Sequence, residues 1–278
     1  MRGALVVLLL LPMLVWAQGD KAAVREEIKR LAWQQGPTQG RIGDKALIQV
    51  PRDYVFLDER NTSRFLELAG NPAREGNYLF APASLDWFAV FGFEASGYIK
   101  DDEKIDADEL LQTLKKSDGP ENEERKRLGL GGLYTEGWQV APHYDTDTRR
   151  LEWGTRLRTE SGRHVVNYSS RLLGRSGVMS AILVSDPETL AADTQQFKLA
   201  LTQFAYVPGE TYAEFKPGDK VAAYGLAALI VGGAAAVATK KGFWALLVGF
   251  LGAFWKMLAV GGVAAAAWLR SLFKGKGA

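Results

Sequence analysis

Asn167, Tyr168, Arg171 and Arg175 place two guanidinium groups beside an amide and a phenol within nine residues, a set that could hold an anionic group such as a phosphate or a carboxylate. Ion pairing of those arginines with surplus acidic residues is the competing reading. The two histidines, His143 and His164, stand in unrelated contexts, and no HExxH spacing exists to hold zinc on a helix. His143 and Asp145 with a serine from elsewhere would make a triad, yet Gly174-Arg175-Ser176-Gly177 is not the GxSxG nucleophile elbow. The acid run Asp101, Asp102, Glu103, Asp106, Asp108 and Glu109 invites calcium, but its spacing fails an EF-hand loop. Begun at Asp101, such a loop puts Ile105 where a ligand is needed, Asp106 where glycine makes the turn and Gln112 where the bidentate acid belongs. The run is better read as a helix start capped by Asp106 or Asp108, with the remaining acids favouring the positive end. In Gly129-Leu130-Gly131-Gly132, Tyr134 stands where a GxGxxG loop needs its third glycine, so these glycines read as a turn. No catalytic, cofactor-binding or metal-ligating residue emerges, and no cofactor is expected.

These residues need a scaffold, and the hydrophobic pattern supplies one. Asp20 can cap a helix carrying Val24, Ile28 and Leu31 at helical spacing until Gly36-Pro37. Ala46 to Val50 and Tyr54 to Leu57 are strand segments around the Pro51-Arg52-Asp53 turn, and Asn61-Thr62 opens a short helix before Gly70-Asn71-Pro72. Asp86 to Phe91 and Gly92 to Ile99 have the aromatic and β-branched composition of buried strands. Leu110, Leu111 and Leu114 share a helix face that runs into the charged stretch Lys115 to Arg127. Leu151, Trp153, Thr155 and Leu157 alternate with polar residues as in a half-buried strand. His164 to Tyr168 and Val178 to Val184 are two more strands, Pro187 to Leu201 is a helix, and Phe204 to Tyr206 is a last short strand. This order predicts an α+β fold, a mainly antiparallel sheet with helices packed on it. The aromatics Trp87, Phe88, Phe91, Phe93, Trp138, Tyr144 and Trp153 could line a ligand cleft, though core packing accounts for them as well.

All 32 acidic residues lie between Asp20 and Asp219, so both ends of the chain carry no negative charge. Arg2 followed by the apolar run Ala4 to Val15 and the exit Val15-Trp16-Ala17 reads as a signal peptide over residues 1–17, too short for a permanent span of about 20 residues. Residues 18–207 form the exported soluble domain and residues 208–220 a tether. Residues 221–269 hold apolar stretches, Val221 to Thr239 closed by Lys240-Lys241 and Gly242 to Leu269 interrupted by Lys256, ahead of a basic tail over 270–278. One or two transmembrane helices fit. The positive-inside rule favours one: either Val221 to Thr239 crosses and the rest lies along the inner interface with Trp244, Trp255 and Trp268 as anchors, or the second stretch crosses and the first packs beside it, the glycines and alanines allowing close helix contact. No cysteine is present, which excludes disulfides and thiolate chemistry. Between Gln18 and Asp219 the 32 acids face 26 basic residues, a net charge of −6 that disfavours nucleic acid as a partner.

Gly97-Tyr98-Ile99-Lys100-Asp101-Asp102-Glu103-Lys104, followed by Asp106-Ala107-Asp108-Glu109-Leu110-Leu111, resembles the uncharacterised bacterial family known as DUF2167. Gly36-Pro37 with Val50-Pro51, Gly137-Trp138 with Pro142 and Tyr144-Asp145, Asn167-Tyr168 with Arg171, Leu173-Gly174-Arg175 with Gly177, and Asp219-Lys220 with Tyr224-Gly225-Leu226 resemble the same pattern. The resemblance covers nearly all of the chain after residue 17. It implies a membrane-anchored protein with the α/β sandwich of PsbP-like and DcrB-like exported domains, and it brings no reaction or ligand. The expectation is therefore a non-enzymatic binding or interaction module in a bacterial inner membrane, its soluble domain on the periplasmic side. Its partners would be the lipid bilayer and an envelope protein. A hydrolase-like enzyme with an illegible site, or a subunit of a membrane complex, are the alternatives.

Overall fold

A strand such as Val178–Val184, with apolar residues buried at nearly every position, needs cover on both faces. The computed structural model, which describes residues 18–69, 75–127 and 132–231, provides it. In chain order the elements are α1 (Gln18–Lys29), β1 (Gln34–Gln35), β2 (Thr38–Ile42), β3 (Ala46–Val50), β4 (Tyr54–Leu57), α2 (Glu59–Leu68), β5 (Asn77–Pro82), β6 (Phe88–Glu94) and α3 (Ala107–Arg127). There follow β7 (Leu133–Asp145), β8 (Arg150–Thr159), β9 (His164–Leu173), β10 (Val178–Val184), α4 (Leu190–Leu201), β11 (Phe204–Tyr206) and α5 (Leu226–Val231). Eight strands form one antiparallel sheet in the order β1-β4-β5-β6-β10-β9-β8-β7, and β11-β3-β2 form a second, smaller one. The fold is α+β, as the order of elements predicts.

Side-chain alternation sorts the large sheet into two faces. On one, Phe56, Phe80, Ala89, Phe91, Tyr168, Leu172 and Ala181 pack against Ile48 and Val50 of the small sheet and Phe197 and Leu201 of α4. The opposite face divides. Its half near β4 and β5 is covered by α1 and α2 through Ile28, Phe65 and Leu66. The other half buries Leu151, Trp153, Leu173 and Val178 beneath Leu110 of α3 and Leu226, Leu229, Ile230 and Val231 of α5.

Asp58 caps α2 by accepting from the Asn61 amide at 2.9 Å, and Asp106 opens α3 by accepting from the Glu109 amide at 2.9 Å. The capping reading of the acid run thus holds at Asp106. The β3 and β4 segments do flank a turn at residues 51–53, but they enter different sheets, because β3 pairs with β2 and β11 while β4 pairs with β5. Strand β8 alternates as expected from Thr155 onward, with Arg156 exposed between the buried Thr155 and Leu157, while Leu151 to Thr155 is buried on both faces.

Among the described residues no helix is long and apolar enough to cross a membrane. The stretch over 1–17 read as a signal peptide, the apolar sequence after Val231, its tryptophans and the basic tail lie outside the described residues, as do Gly129 to Gly131. The opening of the Val221 to Thr239 stretch is described, and it is packed into the domain. Val221 bridges in parallel to Tyr98, and the apolar side chains of α5 are buried against the sheet.

Candidate functional site

The four residues read as an anion set do not meet. On β9, Tyr168 points to the small-sheet face, where its hydroxyl donates to the buried Glu152 carboxylate at 3.2 Å, and burial with that nearby charge pushes its pKa up to about 12. Glu152 also accepts from Ser170 at 3.0 Å and from Lys198 at 3.0 Å. Asn167 and Arg171, odd-numbered neighbours, are buried on the opposite face. The Arg171 guanidinium is 3 % exposed, donates to Ser180 Oγ on β10 at 2.9 Å, and lies 5.2 Å from the centre of the Trp153 ring. Burial pushes its pKa down to about 9, a shift that the Glu94 carboxylate opposes. Arg175 stands apart from all three, in the turn between β9 and β10.

Arg175 belongs to a cleft of about 550 Å³ at the edge of the domain. Its Nε and Nη2 grip Asp219 at 2.7 and 2.8 Å, and its Nη1 donates to the Gly209 carbonyl at 3.2 Å. The ion-pair reading therefore describes Arg175. Hydrogen bonds from Arg175 hold the Asp219 carboxyl down at about 2, with help from the Lys216 amide. Across the cleft Lys45 donates to Glu210 at 2.6 Å, and Ser176 Oγ donates to the same carboxylate. Lys220 donates to the Ala95 carbonyl at 3.1 Å.

That cleft is one margin of a larger arrangement in which residues 209–231 are strapped across the sheet. The Glu214 carboxylate gathers the Gly209 amide at 2.8 Å, the Thr211 amide at 3.0 Å and the Thr211 hydroxyl at 2.7 Å, which closes the Pro208-Gly209 turn. Tyr212 is buried, donates to the Ile99 carbonyl at 2.8 Å and stacks on Tyr98 at 4.4 Å, while Phe215 stacks on the same ring at 4.1 Å. The Lys220 carbonyl accepts from the Tyr98 amide, and the Ala222 amide donates to the Tyr98 carbonyl, each at 2.8 Å. Gly97 permits this approach: its φ is +93°, and a Cβ there would lie 2.6 Å from the Lys220 oxygen. Tyr224 donates to Glu94 at 2.6 Å, and Glu103 accepts from the Ala227 amide at 3.0 Å at the start of α5. A segment that reads as a tether is thus fastened along its length.

The remaining motif residues serve the same assembly. Asp101 accepts from Tyr144 at 2.9 Å and pairs with Arg149, whose guanidinium lies 5.2 Å from the Tyr212 ring centre. Burial opposes ionisation of Asp101, yet the Tyr144 hydrogen bond and the Arg149 charge hold its pKa below the usual range. Trp138 donates to the Ala107 carbonyl at 2.9 Å and so fixes the start of α3. His143 is exposed on β7, and Asp145 accepts from the Asp147 and Thr148 amides in the β7–β8 turn. His164 pairs with Glu136 at 2.9 Å. Among the described residues no group of three His, Asp or Glu side chains could hold a metal ion.

Lys45 and Glu210 carry no motif that marks them in the sequence, because 165 residues separate the two. A fainter signal was present at Thr211 and Glu214, whose S/T-x-x-E spacing is that of a capping box.

A family model described as "Protein of unknown function (DUF2167)" matches residues 34–266. The solution structure of cyanobacterial PsbP (CyanoP) from Synechocystis sp. PCC 6803 is similar at 11% identity and a TM-score of 0.35, covering 63% of this chain and 93% of that one. No curated protein matches the chain.

Proposed function

The chain belongs to the DUF2167 family, and from that premise we propose that it is a membrane-anchored, non-enzymatic module whose domain binds a protein or ligand on the periplasmic face of a bacterial inner membrane. The observation that carries this reading is the strap. Residues 209–231 immediately precede the apolar C-terminal sequence, and they are fastened to the sheet by Tyr212, Asp219, Tyr224 and the buried side chains of α5. A domain clamped to the segment beside its anchor would hold a defined orientation over the bilayer, as an interaction module needs. The acid-free termini and the basic tail over 270–278 support the same placement.

Subcellular fractionation of the full-length chain tests the proposal. The protein is expected in the membrane fraction, released by detergent but not by high salt, with its domain degraded by protease added to spheroplasts. Crosslinking from native membranes should then capture an envelope partner. Recovery in the soluble cytosolic fraction without detergent, or a domain that protease cannot reach, would refute it.

A further inference from the structure

The two sheets end in four edge strands, β1, β7, β11 and β2, and a strand edge recruits further strands unless something blunts it. Three of the four are blunted. β1 has two residues and β11 has three. β7 is interrupted by three register shifts, carries Pro142, and has its first residues sealed by Asp118 and Asn122 of α3. Strand β2 is different. Its five residues pair with β3 in unbroken register and include no proline. Among the described residues, the backbone of Thr38 to Arg41 bonds only to β3, so every second residue turns its amide and carbonyl away from the sheet. The single charge on the strand, Arg41, is folded back along it, its Nε donating to the Gly43 carbonyl at 3.0 Å. Thr38, Gln39 and Arg41 are exposed, while Gly40 and Ile42 are buried, Gly40 against the Phe56 ring of β4.

We infer that β2 is the contact between two copies of this chain, which pair antiparallel about a two-fold axis at Gly40 and join their small sheets into one. Residues opposite each other across a ladder share a face, so the inward Gly40 and Ile42 must oppose inward positions of the second copy. The register centred on Gly40 meets that condition and pairs the whole strand. A shift of two residues either way leaves strand ends unpaired, and one such shift sets Arg41 against Arg41 of the second copy, where like charges repel. In the centred register Gln39 lies opposite Arg41 of the second copy at two symmetric places, an amide oxygen facing a guanidinium, and the glycine at the axis brings no side chain into the contact. The same patch thus complements itself, as a closed two-fold contact requires. This inference is independent of where in the cell the chain sits.

The test uses the full-length chain in an uncharged detergent, its mass followed by sedimentation over a range of protein concentrations. Wild type is compared with Gln39→Lys, Gln39→Glu and the double variant Gln39→Lys with Arg41→Glu. Both positions are exposed, so all four proteins should fold, and equal thermal melts at low concentration check this. Wild type is expected to dimerise. Gln39→Lys sets like charges opposite each other at both symmetric places and should weaken the dimer about tenfold, while Gln39→Glu should tighten it. The double variant, with opposite charges again facing each other, should recover the wild-type strength. Amide hydrogens of β2 should gain protection from exchange as the dimer forms. A monomer at every concentration overturns the inference and leaves the edge to an extended segment of another protein. A dimer whose strength does not follow the charge at residue 39 overturns it equally, by placing the contact elsewhere, the apolar C-terminal sequence included.

Discussion

Arg171 and Asp219 show how differently a charge behaves inside this domain and at its margin. Arg171 is enclosed, so its guanidinium depends on Ser180, the Trp153 face and the nearby Glu94 charge rather than on water. Arg171→Ala should therefore lower stability by about 3 kcal/mol in urea denaturation, since removing one member of a buried charge set strands the others. A loss below about 1 kcal/mol would show that water reaches the site. Asp219 instead supplies a pH signature. Its carboxyl lies near 2 in the fold against an ordinary 3.8, so between those values the unfolded chain binds more protons than the folded one. Its contribution is present in full above about pH 4 and is lost as the pH falls through about 2. The Tm difference between wild type and Asp219→Asn should thus be constant from pH 5 to 7, on the scale of that titration, and shrink toward pH 2. A difference that does not vary with pH would mean the Arg175 contact contributes nothing.

Among the elements, α3 has a task beyond covering the core. It runs beside β7, the outermost strand of the large sheet, and pairs backbone groups that an edge would otherwise expose. Asp118 accepts from the Thr135 amide at 2.6 Å and its hydroxyl at 2.8 Å, while Asn122 accepts from the Leu133 amide at 2.7 Å and donates to its carbonyl at 3.0 Å. Asp118→Ala leaves a buried amide without that acceptor and should cost about 1–3 kcal/mol. Hydrogen exchange at Thr135 should accelerate in the same variant, and unchanged protection would argue against edge sealing by α3. The strap is sensitive in another way. Gly97→Ala places a methyl against the Lys220 carbonyl on a left-handed backbone, so the strap should loosen while β6 and β10 stay protected.

Over the whole molecule, the strap makes the C-terminal side of the domain part of its core. A chain ending at Lys220 would expose Leu151, Trp153 and Leu173 and lose four buried aliphatic residues of α5. At about 1.5–3 kcal/mol for each buried aliphatic side chain, the loss rivals the net stability of an ordinary domain. A chain of residues 18–231 should melt cooperatively and one of residues 18–220 should not, by calorimetry. Equal cooperativity in the two would mean that α5 is dispensable cover. Local pattern alone was enough to determine the α+β class, strands β3, β4, β10 and β11, the helix opened at Asp106, and the family, because each depends on residues within a few positions of one another. The partition of β3 and β4 between two sheets was not legible, nor was the separation of Tyr168 from Arg171, nor the meeting of Lys45, Arg175 and Lys220. Those were decided by tertiary packing. Hydrophobicity records that a side chain leaves water but not whether lipid or protein receives it, so Leu226 to Val231 read as the start of a membrane span while the folded chain buries them against its own sheet.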